Sequence, residues 1–175
     1  MRPRGGPSVA IIGPGRVGQA LAKLLAEAGV QVDFVAARRI ERARRAQKFI
    51  GRGQAVTLTD PALARASVFV LTVSDRALAP VAEQLASLLA KSVSKGKSGK
   101  PELGSKPLAG RIFLHTCGSL DASVLKPLGR LGGAMGSLHP FQTVPSPKQG
   151  ARNLLGTFWT IPRTRDPSAC RLARG

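Results

Sequence analysis

The stretch VAIIGPGRVGQALAKLLAEAGVQVDFVAARR, Val9 to Arg39, decides how the chain is read. It opens with an apolar run, VAII, passes Gly13, Gly15 and Gly18, and continues into QALAKLLAEAG, whose apolar residues recur three and four apart. A G-x-G-x-x-G pattern has physical content in just that strand, turn and helix setting. Gly13 permits the tight turn, Gly15 lets a pyrophosphate approach the backbone, and Gly18 lets helix and strand pack closely. The helix N-terminus then offers unpaired N–H groups to the anion. The expected cradle is Gly13, Pro14, Gly15, Arg16, Val17 and Gly18; the plainer alternative is that the glycines serve only a tight strand-to-helix turn.

The second strand, QVDFVAA, ends where a domain selecting NAD usually places Asp or Glu against the ribose 2′-hydroxyl. Here the chain has Ala37, Arg38 and Arg39. A carboxylate would repel a 2′-phosphate, whereas guanidinium groups hold it through charge-assisted, often bidentate hydrogen bonds. The expected cofactor is therefore NADP(H), with Arg38 and Arg39 on its 2′-phosphate. Asp33 lies too early in the strand to reach the adenosine ribose. The alternative is that the two arginines merely begin the solvated face of the helix RIERARRAQKF.

Outward from this unit, short runs rich in Val, Ile and Phe predict strands over Ser8–Ile12, Gln31–Ala36, Ala55–Leu58, Val68–Val73, Ile112–His115, Ala134–Leu138 and Thr157–Ile161. Apolar spacing of three and four predicts helices over Gly18–Ala28, Ile40–Phe49, Ala77–Ala90 and Ala122–Leu128. Strands apolar throughout need cover on both faces, which right-handed strand-helix-strand crossovers supply. The expected fold class is α/β: a Rossmann-type doubly wound, mainly parallel sheet in a three-layer sandwich spanning residues 1–161. Asp60-Pro61 and Asp121 read as helix starts, because an N-cap carboxylate accepts orphan backbone N–H groups. Lys91 to Gly110, rich in Gly, Ser and Lys without apolar period, reads as a flexible surface loop. Residues 162–175 read as an irregular tail, as a truncated or frameshifted longer protein would have.

Doubly wound folds place ligands at the carboxyl edge of the sheet. Val73 and Ser74, at the end of the fourth predicted strand, are expected to line the cofactor, and Asp75 to cap the helix that follows. His115 and His139 end the next two predicted strands, so both should emerge on the ligand side. Together with Ser119 they are the candidate catalytic groups, since imidazole shuttles protons near neutral pH and a hydroxyl orients a substrate carbonyl. Simple backbone hydrogen bonding accounts for each histidine equally well. Cys117, without a base and orienting partner, reads as a small residue at a strand end rather than a nucleophile.

Composition narrows the classes. At 175 residues the chain holds one domain, and its net charge of +18 attracts anions of any kind, from phosphorylated cofactors to nucleic acid. Specific nucleic-acid recognition is not expected, because there is no Tyr, one Trp and no basic strand face studded with aromatics. Two cysteines without C-x-x-C spacing suggest neither a disulfide framework nor a metal site. No apolar run approaches the roughly 20 residues of a membrane span, and the basic MRPRGGP precedes no signal-type segment. The expected location is the cytoplasm.

GPGRVGQALA, VFVLTVSD, LHTCGSL and above all GSLHPFQTVPSP resemble the uncharacterised bacterial family that joins a Rossmann-like domain to a C-terminal helical domain, DUF2520. That family is similar in its first domain to pyrroline-5-carboxylate reductases, deazaflavin-dependent NADP reductases and the 6-phosphogluconate dehydrogenase group. The likeness covers roughly Ser8 to Ile161. It implies an NADP-dependent oxidoreductase of unassigned small carbonyl or imine substrate, with Gly13, Gly15 and Gly18 as cofactor residues. Cys117 departs from a serine expected in an HTSG-like stretch. The chain also turns into RTRDPSACRLARG where relatives continue into the helical domain. On that reading it binds cofactor without turnover unless a homo-oligomer, or the missing helical domain in trans, covers the site; a non-catalytic NADP-binding or sensing module is the alternative.

Overall fold

A computed structural model describes residues 6–94 and 106–160. The expected tail at 162–175 and the central part of the predicted loop, 95–105, lie outside the described residues, as do residues 1–5 and Ile161. Six strands form one parallel sheet: β1 (Val9–Ile12), β2 (Val32–Ala37), β3 (Gln54–Thr57), β4 (Val68–Leu71), β5 (Ile112–His115) and β6 (Ala134–Ser137). Their order is β3-β2-β1-β4-β5-β6, the doubly wound arrangement whose switch point falls between β1 and β4. Register aligns Ile12 with Ala36 on one side and Leu71 on the other, and Leu71 with His115 and His115 with Ser137. All strands therefore deliver their following loops to one edge.

The strands are apolar throughout because both faces are covered. Along β1, Val9 and Ile11 join one buried cluster, with Leu21 and Ala22 of α1 (Arg16–Glu27) and Ala46 and Ile50 of α2 (Ile40–Ile50). Ala10 and Ile12 point the other way, into a cluster with Leu78, Leu85 and Leu89 of α3 (Asp75–Ser94) and Leu128 of α4 (Lys126–Gly129). Alternation of side chains along a strand makes this division. Phe69 and Phe113, on adjacent strands, stack at 4.9 Å between centroids inside the second cluster. A three-layer sandwich results.

The structure shifts several expectations. The first helix begins at Arg16, so Gly18 lies within its first turn. The third runs on through Ser94, taking the first residues of the predicted loop into its last turn. Ala122–Leu128 is not one helix: a 3-10 turn over Ala122–Leu125 passes into the single α-turn of α4, with Pro127 early in it. Asp60 and Asp121 do cap, accepting from the N–H groups of Ala62 at 2.8 Å and Ser123 at 2.7 Å. The predicted strand Thr157–Ile161 does not join the main sheet. Trp159–Thr160 (β8) pairs antiparallel with His139–Pro140 (β7) in a two-stranded sheet of its own. Between these, α5 (Pro147–Asn153) packs across α1 and encloses Ala20, Val144 and Leu154 in a third small core. Among the described residues no helix is long and apolar enough to cross a membrane.

Candidate functional site

The glycine-rich turn is held by its neighbours. Gly13 has φ of +81°, a left-handed conformation that costs glycine nothing, and its N–H donates to the Ala36 carbonyl at 2.8 Å. A Cβ there would overlap Val73 Cγ1, and one at Gly18 would overlap Thr72 Oγ1. That Thr72 hydroxyl donates to the carbonyls of Gly13 at 2.7 Å and Ile12 at 3.2 Å, tying the turn to the end of β4.

Gly15 differs. It is the N-cap of α1, with φ −76°, and makes no side-chain cap; an added Cβ would meet nothing nearer than the Gly13 carbonyl at 3.9 Å. Neither backbone strain nor an internal neighbour requires glycine at this position. What its missing side chain leaves is open space over a helix N-terminus, the room an approaching phosphate needs.

That space is part of a cleft of about 560 Å³ at the carboxyl edge, and the predicted residues Gly13, Pro14, Gly15, Arg38, Arg39, Val73 and Ser74 all line it. Arg42 joins them from the first turn of α2, four residues after Arg38, and among the described residues no carboxylate lines the cleft. Leu58, Ala77 and Val81 form an apolar wall with Gln84 at its margin. Arg16, Val17 and Gly18 do not line it. The Arg16 guanidinium reaches the Pro145 carbonyl at 3.4 Å, Val17 packs against the third core, and Gly18 is buried beneath Thr72. Asp33 stands at the opposite edge of the sheet, bonded to Ser8 and Gln31. Arg42 was detectable in the sequence as a further arginine in the first turn of the predicted helix Ile40–Phe49, directly after Arg38 and Arg39. Thr72 and Gln84 carried no such signal.

The two histidines separate. His115 does not emerge on the ligand side: it is fully buried, and its Nδ1 accepts the Cys117 N–H at 3.3 Å. The ring is thus the Nε2–H tautomer, and among the described residues Nε2 has no partner within hydrogen-bonding geometry, although the Asp121 backbone lies close enough to act on its charge. Burial pushes this imidazole below its ordinary value, opposed by the Asp121 backbone and by the carboxylates of Asp121 and Asp75. His139 is half-buried, with Nδ1 2.9 Å from the Thr116 carbonyl. A carbonyl only accepts, so Nδ1 carries a proton, and in the neutral ring Nε2 holds the lone pair. Asp75 is the first residue of α3 rather than the residue before it, and its carboxylate accepts from Ser119 Oγ at 2.8 Å. None of His115, Ser119 and His139 lines the cleft itself.

A six-stranded parallel sheet with this strand order, a glycine turn at the switch point and a cleft above it define a Rossmann-type doubly wound domain. Residues 8–94 match the model of the family described as NADP oxidoreductase, coenzyme F420-dependent. No curated protein matches the chain. Among solved structures, it is similar to prephenate dehydrogenase from A. aeolicus: TM-score 0.68 and 18% identity, over 99% of this chain and 57% of that one. It is likewise similar to a Bacteroides fragilis protein assigned as an NADP oxidoreductase: 0.62 and 20%, over 96% and 56%. A pyrroline-5-carboxylate reductase from Coxiella burnetii gives 0.60 and 17%, over 97% and 54%. At these identities the likeness is one of fold, and the chain spans a little over half the length of these proteins.

Proposed function

We propose that the cleft binds NADP(H) and that the domain serves an oxidoreductase moving a hydride between the nicotinamide and a small carbonyl or imine group. The observation that carries the reading is the lining at the end of β2: Arg38, Arg39 and Arg42, with no carboxylate in the cleft among the described residues. A 2′-phosphate placed there meets guanidinium groups, whereas a free ribose 2′-hydroxyl meets no acidic acceptor. The backbone from Gly13 to Gly15 and the N-terminus of α1, including the N–H groups of Arg16, Val17 and Gly18, take the pyrophosphate. Leu58, Ala77 and Val81 offer the adenine a flat apolar wall.

Bound in this way, the cofactor supplies a hydride donor or acceptor at its nicotinamide end. Val73 and Ser74 border that end. His139, fixed through Nδ1, has the free ring nitrogen that proton transfer needs; His115, buried and bonded to Cys117, keeps its loop in shape instead. Kinship with the DUF2520-bearing family belongs to the same proposal. A helical domain of that kind, or a second copy of this chain, would shield the nicotinamide end from water, and Phe141, Leu155 and Phe158 present exposed apolar surface for such a cover. That none of the candidate acid-base residues lines the cleft favours the second reading, an NADP-binding or sensing module without chemistry.

Replacing Arg38 and Arg42 together by alanine tests the cofactor assignment. NADPH binding should weaken by about 1–3 kcal/mol while NADH binding stays as it was. Equal loss for both cofactors would contradict a 2′-phosphate site. Steady-state oxidation of NADPH with a panel of small carbonyls and imines, and with a deazaflavin, separates enzyme from sensor.

A further inference from the structure

The sheet edge beyond β4, away from the arginines, gathers side chains that share one property. Asp75 begins α3 after β4, Ser119 follows β5, and His139 opens β7 after β6. The Ser119 hydroxyl donates to Asp75 Oδ2 at 2.8 Å. With that proton committed, the Cys117 thiol, 3.2 Å from Ser119 Oγ, can only donate in this cluster, and its one S–H is shared between Ser119 Oγ and the Asp75 carboxylate. The His139 Nδ1–H is committed to the Thr116 carbonyl, and its ring lies against Gly118, where an added Cβ would stand 2.7 Å from Nε2. Every proton these groups could offer is used internally. What remains is acceptor capacity: Oδ1 of Asp75, a lone pair on Ser119 Oγ and Nε2 of His139.

The charge agrees with the hydrogen-bond inventory. The chain has nine acidic residues against 27 basic ones, yet two of the nine, Asp75 and Asp121, act on His115 at this edge, with Lys126 beside Asp121, while Arg38, Arg39 and Arg42 line the cleft at the end of β2. Hydrogen bonds from Cys117 and Ser119 hold the Asp75 carboxyl below the usual carboxylate range, so it is an anion at neutral pH. A dinucleotide whose 2′-phosphate lies among the arginines spans the switch point and delivers its other half toward β4 and β5, where Ser74, next to Asp75, lines the cleft.

We infer that the edge formed by Asp75, Ser119 and His139 recognises a cationic, hydrogen-bond-donating nitrogen, a protonated amine or iminium, in preference to a carbonyl oxygen or a carboxylate. At these three side chains a carbonyl or carboxylate oxygen would face acceptors and a negative charge, whereas an ammonium or iminium N–H satisfies both. This deepens the hydride-transfer proposal and rests on it for the position of the nicotinamide. The acceptor set rests on side-chain geometry alone.

The test is amide chemical-shift mapping on the full ¹⁵N-labelled chain at mildly alkaline pH, with pyrrolidine, cyclopentanone and cyclopentanecarboxylate as probes, with and without NADPH. Pyrrolidine, a cation under these conditions, should move the signals of Asp75, Gly118 and Ser119, and the other two should not. Asp75→Asn should raise its dissociation constant about tenfold, as expected for loss of one charge-assisted contact. Asp75→Glu, which keeps the charge, should restore most of the affinity. Equal response to cyclopentanone or the carboxylate, or unaltered pyrrolidine binding by Asp75→Asn, would overturn the inference. Absence of NADPH binding would contradict the cofactor reading and leave the three-probe comparison to decide this one.

Discussion

Glycines 13, 15 and 18 look alike in the sequence and are required for different reasons. Gly18 lies against Thr72 and Gly13 against Val73, so a side chain at either collides with the protein itself. Gly18→Ala should cost about 1–3 kcal/mol of stability, the usual range for overpacking, read as a lower denaturation midpoint. Gly15→Val should leave that midpoint nearly unchanged and abolish NADPH binding, because only a ligand contests the space. Retained binding by Gly15→Val would place the cofactor elsewhere. The histidines make the converse lesson. From sequence, His115 and His139 are equivalent strand-end residues, and what separates them is burial and which ring nitrogen is bonded, neither of which residue type encodes. His115 also carries a pH prediction. Its folded pKa is depressed, so an unfolded chain takes up a proton that the folded chain refuses. Its contribution to stability is whole above the ordinary imidazole pKa of about 6.5 and is lost as the pH falls below it toward the folded value. His115→Gln should flatten the pH dependence of the denaturation midpoint across that window; an unchanged slope would show that the buried ring does not resist protonation.

Among elements, the parallel strands were the most legible, because a strand buried on both faces is a continuous apolar run and β5 matches its expected span residue for residue. The elements over 139–160 were legible poorly. A two-residue strand such as β7 has no period to detect, and α5 presents PKQGARN, which has no apolar face of its own. Its start was nonetheless marked: Ser146 accepts from the Gln149 N–H, and Pro147 occupies the first helical position. The packing of α5 on α1 depends on Leu154, just past its end and almost wholly buried. Leu154→Ala should destabilise the chain by about 2–5 kcal/mol through the cavity left against Ala20 and Val144. A loss well under that range, measured by denaturant unfolding, would mean that α5 is only loosely attached to the domain.

At the scale of the molecule, a net charge of +18 raises the local concentration of any anion and so cannot by itself identify a ligand. The arrangement of charge discriminates better, with three arginines in the cleft beside the glycine turn and carboxylates gathered beyond β4. Nucleic acid drawn by the overall field should dissociate as salt is raised and show no sequence preference. Complexes that survive high salt and distinguish sequences would assign the basic surface a specific partner. The cofactor claim is tested most directly by calorimetric titration of the unmodified chain with NADPH and with NADH at one moderate ionic strength. The account predicts tighter NADPH binding by about 1–3 kcal/mol, the contribution of a charge-assisted contact to the 2′-phosphate. Equal affinities, or tighter NADH binding, would contradict it.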